Sequence, residues 1–65
     1  MKGSYIVRKS DGTYISAYNK ALGEKAALSY AITCARYSKA NIYENESGIE
    51  KIVMTYKEDE LTKVV

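Results

Sequence analysis

The chemically versatile side chains of this 65-residue chain are seven tyrosines, one cysteine and two short groups of carboxylates; histidine is absent. Without histidine there is no Ser–His or Cys–His pair to raise a nucleophile. One cysteine cannot supply the ligand set that zinc needs. Cys34 falls mid-stripe on a predicted helix, where a thiol acts as a small hydrophobe. Glu44, Glu46 and Glu50, and the run Glu58-Asp59-Glu60, read as solvated turn residues and not as paired acids or a divalent-metal site. Gly3, Gly12, Gly23 and Gly48 are isolated and form no phosphate-binding loop. The expectation is a protein without catalytic residues, metal or cofactor. Tyrosine remains, an amphipathic side chain that anchors binding surfaces or rims a shallow core with its hydroxyl outward.

The elements that must position these rings are built around one helix, Glu24 to Lys39. At 100° per residue, Ala27, Leu28, Ala31, Ile32, Cys34, Ala35 and Ser38 gather on one side, and Lys25, Ser29, Thr33 and Arg36 on the other. Gly23 suits the N-cap, Glu24 the first turn, and Leu22 can staple back toward Ala27. Arg36 and Lys39 suit the C-terminal dipole, and Asn41 the left-handed exit. A stripe made mostly of alanine and cysteine can lie close against a sheet.

Two hairpins flank the helix. Tyr5-Ile6-Val7-Arg8-Lys9 and Thr13-Tyr14-Ile15-Ser16-Ala17-Tyr18 are joined by Asp11-Gly12, a type I′ signal. A two-residue turn pairs Tyr5 with Tyr18, Val7 with Ser16 and Lys9 with Tyr14 on one face, and Ile6 with Ala17 and Arg8 with Ile15 on the other. The face led by Ile6, Ile15 and Ala17 is expected to meet the helix. In the second hairpin, strands Asn41–Asn45 and Ile49–Tyr56 turn at Ser47-Gly48, placing Glu44 opposite Lys51 and Ile42 opposite Val53, with Tyr43, Ile52 and Met54 sharing one face. Leu61–Val65 alternates as a fifth strand would. The fold class is therefore α+β, an antiparallel sheet of four or five strands with one helix on one face, in the order β-β-α-β-β(-β).

Sixty-five residues bound the chain to one domain with a small core. No apolar run reaches the length of a membrane span, and Met1-Lys2-Gly3-Ser4 leads into a strand without a signal-peptide core, so a cytoplasmic protein is expected. Residues 1–39 carry a charge of +5 and residues 40–65 a charge of −3. With the helix covering one face, Tyr5, Val7, Arg8, Lys9, Tyr14 and Tyr18 form the expected partner-binding surface. The partner expected there is a protein. The alternatives are a nucleic acid, with Tyr5, Tyr14 and Tyr18 stacking on bases and Arg8, Lys9, Lys20 and Lys39 on phosphates, or a second copy closing a homodimer.

The layout resembles small phage-encoded inhibitors of bacterial defence, in particular compact anti-CRISPR proteins acting on type I surveillance complexes. The residues carrying the resemblance are Met1-Lys2 with Tyr5-Ile6-Val7-Arg8, the Ala-rich helix, and Tyr56-Lys57-Glu58-Asp59 after a late strand. It is also similar to small bacterial domains of unknown function with the same strand order. The first resemblance implies a stoichiometric, non-catalytic inhibitor that occupies a nucleic-acid-binding surface on a host complex.

Overall fold

The computed structural model describes residues 3–64; Met1, Lys2 and Val65, on which parts of the sequence reading rest, lie outside the described residues. Five strands, β1 (Ser4–Arg8), β2 (Tyr14–Asn19), β3 (Asn41–Glu46), β4 (Ile49–Lys57) and β5 (Glu60–Lys63), form one antiparallel sheet in the order β2-β1-β3-β4-β5. One helix, α1 (Glu24–Ser38), crosses a single face, preceded by a 3₁₀ turn at Lys20–Leu22. This is the expected α+β fold, with the fifth strand formed.

The local signals explain most of the boundaries. Gly23 caps α1 at φ 107°, a left-handed-side conformation that glycine adopts without penalty. Lys39, not Asn41, takes the left-handed exit at φ 55°, and its N–H donates to the Ala35 carbonyl. Asn41 instead opens β3, where its Oδ1 accepts the Tyr56 N–H at 2.9 Å. The Ser47-Gly48 turn has positive φ at both positions, 54° and 80°, as a two-residue hairpin requires. The first hairpin turns differently from expectation. Gly12 N–H donates to the Lys9 carbonyl, Lys9 N–H donates to the Thr13 carbonyl, and Gly12 carries the turn's positive φ of 92°. Asp11 Oδ1 accepts the Thr13 N–H at 2.9 Å, which fixes the loop.

The registers Tyr5–Tyr18, Ile6–Ala17 and Val7–Ser16 hold as expected, and so does Glu44–Lys51. Two bulges then change the alternation. Ile15 is inserted between the Val7–Ser16 and Arg8–Tyr14 rungs, so Arg8 faces Tyr14 and not Ile15. Val53 is inserted between Tyr43–Ile52 and Ile42–Met54, so Ile42 faces Met54 and not Val53, and Met54 parts from the face of Tyr43 and Ile52.

The faces of the first hairpin are the reverse of the expectation for Tyr5, Val7 and Tyr18. Tyr5 and Val7 are buried with Ile42 against Ala27, Ala31 and Ala35, and Tyr18 packs beside them. The reason lies in the helix. An alanine stripe has no bulk of its own, so the sheet must supply it, and Tyr5, Val7 and Ile42 fill the gap. Ile15 also packs on the helix side, because its bulge turns it there, as expected for that residue. Ile6 and Ala17 stand on the open face instead.

Candidate protein-interaction surface

The uncovered face of the sheet has a definite pattern. One row runs in register across four strands: Ala17, Ile6, Tyr43 and Ile52. Ile6, on the interior strand β1, is 8% exposed although none of the described residues forms a second layer over it. Its cover comes from neighbours in the sheet. Arg8 and Glu50, on β1 and β4, lie on opposite sides of the Tyr43 position and are joined across β3 by a two-pronged ion pair, Nε to Oε1 at 2.8 Å and the outer nitrogen to Oε2 at 3.4 Å. The Arg8 guanidinium also donates to the Gly12 carbonyl at 3.2 Å and lies 5.8 Å from the centre of the Tyr14 ring. The hydrogen bond to Glu50 raises the Arg8 pKa above its ordinary value.

Of the residues the sequence put forward for binding, the structure brings Arg8 and Tyr14 together on the open face, with Tyr14 57% exposed. Lys9 is exposed in the turn just beyond β1. Tyr5 and Val7 belong to the core, and Tyr18 is half-buried against Tyr30 of α1, ring centres 6.0 Å apart. Tyr5 and Val7 thus lie beneath the helix and not on the open face.

A cluster that spacing did not reveal sits under the start of the helix. Lys20, 5% exposed, reaches back from the 3₁₀ turn over the Tyr5 ring, 5.0 Å from its centre. Its ammonium is hydrogen-bonded to Glu44 and lies 3.8 Å from Glu46. The bond to Glu44 raises the Lys20 pKa, with burial opposing, and burial raises that of the Tyr5 phenol, with the Lys20 charge opposing. Asn19 makes this possible: its Oδ1 accepts the Ala21 N–H and starts the 3₁₀ turn, while the Lys20 N–H donates to the Gly3 carbonyl. The cluster ties the end of β2 across β1 to β3. The one sequence signal for it was Lys20 two residues beyond a predicted strand end, with Glu44 and Glu46 at alternate positions of another strand.

Two open troughs flank the helix on its other side, about 390 Å³ beside Tyr5, Glu24, Leu28 and Met54, and about 360 Å³ beside Arg36, Tyr56 and Leu61. Among the described residues, no three His, Cys, Asp or Glu side chains are grouped closely enough to hold a metal ion, and no helix is long and apolar enough to cross a membrane. Comparison with protein-family models, curated proteins and solved structures finds no match to this chain.

Proposed function

We propose that this chain is a small non-enzymatic binding protein that engages a protein partner through the open face of its sheet, around Tyr14, Arg8 and the Ile6–Tyr43–Ile52 row. The observation that carries the reading is that this face holds an apolar row and a 57% exposed tyrosine with no second layer of the chain above it. A flat mixed surface with an aromatic and an arginine at its edge is the composition typical of protein interfaces. The narrower form of the proposal is an inhibitor from a phage or mobile element that blocks the nucleic-acid-binding or effector surface of a host defence complex. Its support is the resemblance of layout. The nucleic-acid reading is weaker, because Tyr5 and Tyr18 lie under the helix, Arg8 is committed to Glu50 and Lys20 to Glu44.

The test is to add the purified protein to a type I surveillance complex and measure target-DNA binding. Stoichiometric inhibition is expected, with Tyr14→Ala weakening the interaction by about 1–3 kcal/mol. The same substitution should leave stability nearly unchanged, whereas Tyr18→Ala should lower stability. Inhibition indifferent to Tyr14 would refute the open-face reading, and absence of any binding would refute the inhibitor reading.

A further inference from the structure

The edge of the sheet at β2 is unlike an ordinary solvent edge. Tyr14-Ile15-Ser16-Ala17-Tyr18-Asn19 contains no charge, proline or glycine, three of the devices that prevent strand addition, and its bulge at Ile15 leaves Ser16–Asn19 regular. The Lys20 N–H donates to the Gly3 carbonyl, so the alternation of the ladder turns the amides of Tyr18 and Ser16 toward β1. Those of Ala17 and Asn19 are directed outward, where the described residues offer no strand to meet them.

The helix flank above this edge is also uncharged. Tyr30 touches Tyr18, which fixes the flank of α1 turned to β2, and helical spacing adds Ala26, Cys34 and Tyr37 to it. Tyr30 is 57% exposed and Tyr37 91% exposed.

We infer that this side of the molecule pairs with a second copy of the chain, β2 against β2 antiparallel about a two-fold axis at Ala17, giving one ten-stranded sheet with the two helices side by side. The register places Ala17 against Ala17 of the second copy and Ser16 against its Tyr18, so no charges are juxtaposed. The spacing closes as well. Strands lie about 4.8 Å apart, so a helix seated over β1 and β2 is about 5 Å from such an axis, and its copy about 10 Å away. That is the upper end of the distance at which helices pack. A foreign strand could satisfy the outward amides, but a copy carrying its own α1 also covers Tyr30 and Tyr37. Those two rings expose roughly 300 Å², over a third of the ~800 Å² per partner in a stable interface. The full requirement is about a sixth of the 4618 Å² accessible surface. Pairing also doubles the open face, joining two Ala17–Ile6–Tyr43–Ile52 rows end to end.

Sedimentation of the full chain over a concentration series tests this. Wild type should move at twice the 7.3 kDa monomer mass. Ala17→Lys and Tyr37→Lys should each raise the dissociation constant at least tenfold with the circular dichroism spectrum intact, while Thr62→Lys on the β5 edge should not. Tyr37 lies on the helix side, so its variant separates self-association from open-face binding. In a Cys34→Ser background, Ala17→Cys should form a disulfide-linked dimer on oxidation. A monomer at every concentration up to millimolar, or a dimer insensitive to both Ala17→Lys and Tyr37→Lys, would overturn the inference.

Discussion

The two edges of the sheet are built on opposite plans. At β5, Glu60 and Lys63 put charge into a four-residue strand, and the helix flank on that side carries Lys25 and Arg36. That edge is short and solvated, and it resists strand addition. At β2 the strand is longer and uncharged, the flank above it is tyrosine-rich, and a buried lysine fastens its end to β3. The β5 edge is attached by a hairpin whose central residues, Glu58 and Asp59, both sit at positive φ, 52° and 62°, without being glycine. One edge is anchored and uncharged; the other is charged and strained at its turn. Charge placement, strand length and turn geometry thus all differ between the two edges in the same sense.

The largest effect expected from breaking this contrast is at the β2 anchor. Glu44→Ala leaves Lys20 buried without its hydrogen-bond partner, a change that costs about 3 kcal/mol, at the low end for a broken buried pair because Glu46 remains nearby. Glu50→Ala removes the counter-charge of Arg8 on the open face and should cost far less, since that pair is exposed. Urea denaturation of both variants checks the ranking, and equal losses would show that Lys20–Glu44 is no anchor.

A smaller effect should appear at the other edge. Glu58→Asn combined with Asp59→Gly supplies the residues that a turn with two positive φ values favours, and should raise stability by about 1 kcal/mol. Slower amide exchange confined to Thr55–Lys63 would place the gain on the β4–β5 hairpin. Unchanged exchange there would mean the turn carries no strain.

The least pronounced effect is a pH limit specific to the β2 side. The Lys20 and Tyr5 pKa values are both raised in the folded protein from their ordinary 10.5 and 10.0. The folded state therefore holds more protons than the unfolded state above pH 10, and stability must fall as pH rises through that region. The contribution is fully present below pH 10. Lys20→Met should flatten the decline in denaturation midpoint between pH 9.5 and 11.5, and an unchanged slope would remove Lys20 from the account.

Much of this was legible in the residues. Gly23 and Glu24 marked the helix start, Ser47-Gly48 the second turn, and Glu44–Lys51 the register of its hairpin. The faces were not legible, because β1 is apolar on both sides: Tyr5 and Val7 compete with Ile6, and period two cannot rank them. The alanine stripe held the missing information, since a helix with no bulk demands the larger residues opposite. The bulges at Ile15 and Val53 carry no local mark, being β-branched residues of the kind a regular strand favours. Lys20 could not be placed without knowing that β3 inserts beside β1 and brings Glu44 to it.

β1 is joined to β2 by a turn and to β3 by everything in between. The first rung of that second ladder, Arg8 with Asn41, closes a loop of about thirty residues, costing roughly 3 kcal/mol of chain entropy against about 1 kcal/mol for a four-residue turn. The other three ladders are hairpins between consecutive strands. The free-energy cost of long-range closure is thus concentrated at one strand pair, where Val7 and Ile42 stand opposite each other as the two largest fully buried side chains. The chain's costliest loop closure and its most deeply buried pair fall on neighbouring rungs of one ladder.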